Sequence, residues 1–394
     1  MKKRFTYVVI VLIVFIAASC SKSDTDTEYP NPQGYEEYTP IQLTKAQEEM
    51  TAEINAFGIK LFKEIMADEP DENIVISPLS ISLALAMLSS GAESETARSI
   101  CDVLGFSGYS TDEMGEYYSK MVAALKIADR NCAFEVANSI WISKLLEVKN
   151  SFIKTSEAHF ASEVKKHIDF TSPSARENIN AWVSDKTHGK IKDLLEHLDP
   201  LTKMVLVNAL YFNGKWGFEW DGSKKGSFHS ADGSKSNVDM MHITDTGLRY
   251  TRSETYEIVD MPYGNGAFSF TVVLPDKDIV SSDGMNELLT GLKLLDKIRI
   301  HGYPGKGTIR LPEFKIEYEN QDIYNYLTKM GMRFEDFSGI SDTDLDVSKI
   351  IHKANIEVNR SGTEAAAATA IMMITTGVNS QPISWDPFEF IADH

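Results

Sequence analysis

Gly362-Thr363-Glu364-Ala365-Ala366-Ala367-Ala368-Thr369-Ala370 lies between a strand-like run, Ile356-Glu357-Val358, and a β-branched, Met-rich stretch, Ile371 to Val378. Alanine is the best helix former and a poor strand former, so four consecutive Ala residues read first as one helical turn. A period of two gives a second reading. One face then carries Thr363, Ala365, Ala367, Thr369, Ile371 and Met373, and the other Glu364, Ala366, Ala368, Ala370, Met372 and Ile374. Every side chain before Ile371 except Glu364 is small, so the segment could slide between two strands of an existing sheet, with its one charge pointing outward. On this reading it is a strand stored outside a sheet and inserted later.

The run Gly362 to Thr369 resembles the proximal hinge of the reactive loop in inhibitory serpins. Other motifs resemble the same family in the same chain order. Asn73-Ile74-Val75-Ile76-Ser77-Pro78-Leu79-Ser80 is similar to the start of its second helix, and Val205 through Trp216 to its central strand with the following Trp. Asn180-Ala181-Trp182 with Thr187-His188-Gly189-Lys190-Ile191 is similar to the helix over the main sheet. Leu311-Pro312-Glu313-Phe314, Gly331-Met332, Ser338-Gly339-Ile340 and Ile351-His352-Lys353-Ala354 follow in order, so the match spans roughly 44–390. Arg360 departs from the pattern, because an acidic residue usually precedes the hinge. The chain ends at Phe390-Ile391-Ala392-Asp393-His394, where the family usually continues with a turn and one more apolar strand, so an unpaired sheet edge is expected.

Lys2-Lys3-Arg4, an apolar run from Tyr7 to Ala18 and small residues before Cys20 form a secretory signal, residues 1–19, with a lipoprotein-type cleavage site. Lipid attachment at Cys20 to the outer membrane or cell surface is expected, with plain secretion, a periplasmic location or an uncleaved anchor as alternatives. Residues 20–43 are polar and read as a tether. Removing residues 1–19 takes away three positive charges and moves the formal net charge from −18 to −21. Such an acidic body argues against nucleic acid and heparin-like polyanions as partners. Cys101 and Cys132 stand among apolar neighbours and are expected as buried thiols rather than a bridge.

No Pro/Gly/Ser-rich linker interrupts Thr44 to Phe390, so residues 44–394 read as one α+β domain, helices packed on a large mixed sheet plus smaller sheets. Helices are expected over Thr44 to Ala67, Ser80 to Ser90, Ser94 to Leu104 closed by Gly105, and Ser172 to Glu196. Strands are expected over Glu135 to Ile142, Val164 to Phe170, Ile258 to Pro262, Ala267 to Leu274, Lys297 to His301, Thr308 to Phe314 and Ile350 to Val358. Lys203 to Phe212 reads as a continuous strand buried on both faces.

The sequence carries no recognised catalytic pattern. Gly302 to Thr308 has the wrong glycine spacing for a phosphate loop and reads as a strand turn. His159 and His167 lack the Glu of a zinc-protease motif, and no nucleophile elbow or Cys-x-x-Cys pair is present. No enzymatic activity, cofactor or metal is expected. His352 reads as a satisfied structural histidine. The resemblance implies that Ser77, Ser80, Asn208 and His352, with Trp216, form a polar switch cluster under the sheet opening.

The resemblance also implies inhibition of serine, and less commonly cysteine, proteases. The loop, about 360–382, is presented as a substrate, cleaved, and inserted with the acyl-linked protease attached. Counting without gaps to Trp385-Asp386-Pro387-Phe388 places the scissile bond at Thr376-Gly377. Ile374, Thr375, Thr376 and Val378 are small or β-branched and uncharged, which favours an elastase-like target with a shallow apolar pocket. A monomer is expected. A non-inhibitory relative and a nutrient-binding surface lipoprotein with a Trp216, Phe218 and Trp220 platform are the alternative readings, although core packing is the simpler fate of those rings.

Overall fold

The computed structural model describes residues 11–12, 39–70, 72–230, 233–246, 248–276, 303–304, 307–345, 347, 350–363 and 387–394. Cys20, Glu364 to Thr369, Thr376, Gly377 and the strand expected at Lys297 to His301 lie outside them.

Thr44 starts the first helix, α1 (Lys45–Asp68). Its hydroxyl accepts from Gln47 N while the Gln47 side chain accepts from Thr44 N, which satisfies two otherwise orphaned donors. Met50, Ile54, Phe57, Leu61 and Ile65 recur at helical spacing and are buried. Helix α2 (Pro78–Ser89) is capped by Ser77 with Pro at its first position, and it is buried nearly all round, as its composition requires. Helix α3 (Ser94–Leu104) ends at Gly105 in the left-handed region, φ 75°. Helices α4 (Thr111–Ile127), α5 (Asn150–Phe160), α6 (Pro173–Lys186) and the short α7 (Ile323–Lys329) follow among the described residues.

Helix α6 is shorter than the apolar periodicity predicts. Thr187 turns the chain: its hydroxyl donates to Val183 O at 2.8 Å and accepts from Ile191 N at 3.1 Å. Asn180 then holds the returning chain, accepting from Leu195 N at 2.8 Å and donating to Leu195 O at 2.9 Å. Ile191 and Leu195 keep their apolar contacts with Val183 and Val207 without being helical, which is why the pattern runs on past the helix.

Among the described residues the main sheet has six strands in the order β12-β13-β14-β4-β2-β3. These are β2 (Cys132–Ser143), β3 (Ser162–Ile168), β4 (Met204–Gly214), β12 (Phe314–Asn320), β13 (His352–Asn359) and β14 (Gly362–Thr363). A four-stranded sheet runs β15-β11-β6-β5, from β5 (Gly222–His229), β6 (Lys235–Thr246), β11 (Gly307–Pro312) and β15 (Phe388–Ile391). The third sheet runs β1-β9-β8-β7-β10, from β1 (Val11–Leu12), β7 (Arg249–Arg252), β8 (Tyr256–Tyr263), β9 (Phe268–Pro275) and β10 (Tyr303–Pro304). The chain's last strand, β15, pairs parallel with β11, and the outer edge of β9 carries β1 over two residues.

Two strand expectations need correction. Thr308 to Phe314 is two strands in different sheets: Pro312, with no N–H for a ladder, ends β11, and Glu313 N turns to Asp239 O at 2.7 Å. β4 is partly exposed along most of its length rather than buried on both faces, because many of its residues line a cavity. Trp216, Phe218 and Trp220 are buried and pack ring against ring, so they form core and not a platform. Cys101 and Cys132 are free thiols, the first half-buried and the second buried.

Candidate functional site

The site is the seam between β13 and β4. After β13 the Asn359 side chain accepts from Ser361 N at 2.8 Å and tightens the reversal into β14. Gly362 adopts φ 140°, and a Cβ there would collide with the Gly214 carbonyl, so only glycine fits. Thr363 then pairs with Val358 of β13 on one side and Gly214 of β4 on the other. Two residues of the sequence-predicted hinge, Gly362 and Thr363, are thus already buried inside the sheet.

Beyond Thr363 the two strands part. Among the described residues no strand pairs with the facing edges of β13 from His352 to Glu357 or of β4 before Gly214. A cavity of about 750 Å³ occupies the opening, lined by residues that include Leu206, Asn208, Tyr211, Ile356 and Glu357. Two facing strand edges that no described strand covers are a template for an additional strand. The segment after α6 also lines the opening and is tied to β13, Lys190 Nζ lying 3.4 Å from Glu357 Oε2 and Lys353 Nζ donating to Asp193 O at 2.9 Å.

The five expected switch residues fall into two groups. Ser77, Ser80, Asn208 and His352 meet at the cavity. Ser77 N donates to His352 Nε2 at 3.3 Å, so that nitrogen carries no proton, and burial pulls the imidazole down to about 4. The Ser80 hydroxyl donates to Asn208 Oδ1, Asn208 Nδ2 donates to Asn138 Oδ1 at 2.7 Å, and Asn138 Nδ2 donates to Phe160 O at 2.6 Å. This relay joins α2, β4, β2 and the end of α5, and each link is satisfied.

Trp216 stands instead at the hinge. Its Nε1 donates to Asn359 O at 2.8 Å, and its ring stacks on Tyr263, centroids 4.7 Å apart and 14° between planes. The Tyr263 hydroxyl is bonded to the Thr363 hydroxyl, and burial pushes the phenol far above its ordinary pKa. Arg360 faces Glu313, Nε to Oε1 3.8 Å, so the unusual cation before the hinge has a carboxylate partner.

Sequence reasoning missed Asn138, Tyr263 and Glu313. An Asn midway between Val136 and Ile140 of a buried strand was a usable signal, because such a group needs a partner. Nothing local marks Tyr263. Among the described residues no group of three His, Cys, Asp or Glu side chains could hold a metal, and no helix is long and apolar enough to cross a membrane. Burial raises the Cys132 thiol well above its ordinary value, which leaves it unreactive. The chemistry this arrangement offers is strand acceptance.

Comparison with known proteins gives a consistent picture. The family model described as "Serpin (serine protease inhibitor)" matches residues 52–394. Iripin-1 of Ixodes ricinus is 31% identical over 370 residues, covering 89% of this chain and 90% of that protein. Among solved structures, Serpin48 of the insect Tenebrio molitor superposes with a TM-score of 0.71 at 30% identity, covering 90% of this chain and 94% of that one. Thyroxine-binding globulin in complex with thyroxine superposes at 0.74 with 27% identity, covering 87% and 92%.

Proposed function

Because the chain belongs to the serpin family, we propose that it traps serine proteases by inserting its own cleaved loop between β13 and β4. Serpin loop insertion is an established instance of strand addition and strain release. The observation that carries the reading here is the hinge: Thr363 is seated at one end of an open seam, and small residues Ala365 to Ala368 follow it in sequence. About a dozen inserted residues would add on the order of 20 ladder hydrogen bonds, worth roughly 10–30 kcal/mol at about 0.5–1.5 kcal/mol each. That exceeds the few kcal/mol needed to deform a catalytic site.

The chain acts as a ligand of its target and not as an enzyme. Thr376-Gly377 is the proposed scissile bond, with an elastase-like protease as target. The proposal includes export and lipid attachment through Cys20. The test is incubation of the mature protein with an elastase-like and a trypsin-like serine protease. A denaturant-stable covalent complex with the first, mapped to Thr376-Gly377, is expected. Cleavage without any complex would overturn trapping and favour a non-inhibitory binding role, for which the likeness to thyroxine-binding globulin is the supporting observation.

A further inference from the structure

We propose that Tyr263 and Asp129 form a latch that sets the resting depth of the hinge in the sheet. Tyr263 holds the Thr363 hydroxyl, and Asp129 fixes the turn that carries Tyr263. Neither residue lines the cavity.

The two bonded hydroxyls are both out of water, Thr363 being 5% exposed and Tyr263 3%. The phenol ring is clamped between Trp216 and Phe212, the latter edge-on at 5.3 Å, so it cannot follow Thr363 if the hinge withdraws. Withdrawal therefore separates two buried hydroxyls, and the one left behind has to find another partner.

The ring is held from behind by its own turn. Tyr263 ends β8, and the next residue, Gly264, donates its N–H to Lys215 O at 2.8 Å. Asn265 N donates to Asp129 Oδ2 at 2.7 Å, and Asn265 Nδ2 donates to Ala128 O at 3.0 Å. Asp129 is 3% exposed and lies in the connection between α4 and β2. Its Oδ1 accepts from Asn131 N at 2.7 Å and from Asn131 Nδ2 at 3.2 Å, while the Cys132 thiol donates to Oδ2 at 3.6 Å. Both carboxylate oxygens face donors, a pattern that an amide cannot reproduce, since one side of it would present N–H to N–H. Asp129 is a positioning residue that acts on the hinge through Asn265 and Tyr263.

The consequence for inhibition rests on the trapping reading. With Thr363 latched, insertion after cleavage extends an existing pair of strand contacts and need not begin one. A loosened latch slows insertion and lets more of the cleaved protein hydrolyse before the protease is trapped.

The test is amide hydrogen exchange of the peptide covering residues 359–363 in the intact mature chain, with no protease present. Tyr263→Phe and Asp129→Asn are each expected to raise hinge exchange about five- to thirtyfold, the range for losing one buried hydrogen bond. The double variant should exceed neither single variant. Exchange in the middle of β2 and β4 should stay unchanged, which a merely destabilised fold would not allow. Unchanged hinge exchange in Tyr263→Phe, or additive effects in the double variant, would overturn the latch. If Asp129→Asn does not fold, Asn265→Ala replaces it, with the same expected rise and the same overturning result. Because exchange is read without protease, a failure of trapping leaves this result legible.

Discussion

The Arg360 guanidinium lies 3.8 Å from the Glu313 carboxylate, so the cation just before the hinge is matched by an anion at the junction of β11 and β12. Arg360→Glu would place two carboxylates there. Both groups are partly exposed, so the expected loss of stability is under about 1 kcal/mol. The swap Arg360→Glu with Glu313→Arg should recover it, and urea unfolding of the parent and these two variants checks both statements.

His352 predicts a pH dependence. Its imidazole titrates near 4 in the folded protein against an ordinary value of 6.5. Between those values the unfolded chain binds a proton that the folded chain refuses, so stability falls as pH falls below about 6.5 and levels off near pH 4. The contribution is about 3 kcal/mol at most. Unfolding midpoints at pH 7 and pH 4.5 should differ less in His352→Gln than in the parent, and an equal difference would exclude His352 as the cause.

Asn208→Ala breaks the relay at its centre. The Ser80 hydroxyl and Asn138 Oδ1 lose their partners inside the sheet opening. A loss of about 2–4 kcal/mol is expected from two orphaned groups, read by denaturant unfolding. Asn208→Asp keeps the acceptor for Ser80 but sets a carboxylate oxygen against Asn138 Oδ1, whose amide is held by Phe160 O, so it relieves only the Ser80 side of the loss.

Ala366→Pro tests the path of the loop. Proline removes a ladder donor and does not fit the middle of a sheet. Cleavage by the target protease should persist while the covalent complex is lost, and persistence of the complex would exclude insertion through residue 366.

Thr376→Arg tests target choice. An arginine at the proposed cleavage position should shift complex formation from the elastase-like to the trypsin-like protease, by at least tenfold in rate. Retained preference for the elastase-like enzyme would place the scissile bond elsewhere.

Much of the site was legible because its signals are local. The stretch after Ile356-Glu357-Val358 combines a glycine that the backbone requires with side chains small enough to enter a sheet. Helices α1 to α3 announce themselves through Thr44, Ser77 with Pro78, and Gly105. The overrun of α6 has a tertiary cause: Asn180 and Thr187 fold the chain back while Ile191 and Leu195 keep the apolar rhythm. Trp216 resembled a member of the Asn208 group by family likeness. In the structure it sits just past the end of β4, eight residues beyond Asn208 and beside Tyr263. The pairing of Tyr263 with Thr363 joins residues 100 apart in sequence, and no local pattern encodes it.

The main sheet is assembled from two contiguous stretches of chain, residues 132–214 for β2, β3 and β4, and residues 314–359 for β12 and β13. Pairings inside each block join residues 24 to 82 apart in sequence, whereas Thr363 and Gly214 are 149 apart. Among the described residues Gly362 and Thr363 join the blocks within the sheet, with Lys190–Glu357 and Lys353–Asp193 as side-chain ties. Folding kinetics favour contacts that are near in sequence. Each block can therefore form first, so the seam is framed on both sides before Gly362 and Thr363 close one end of it.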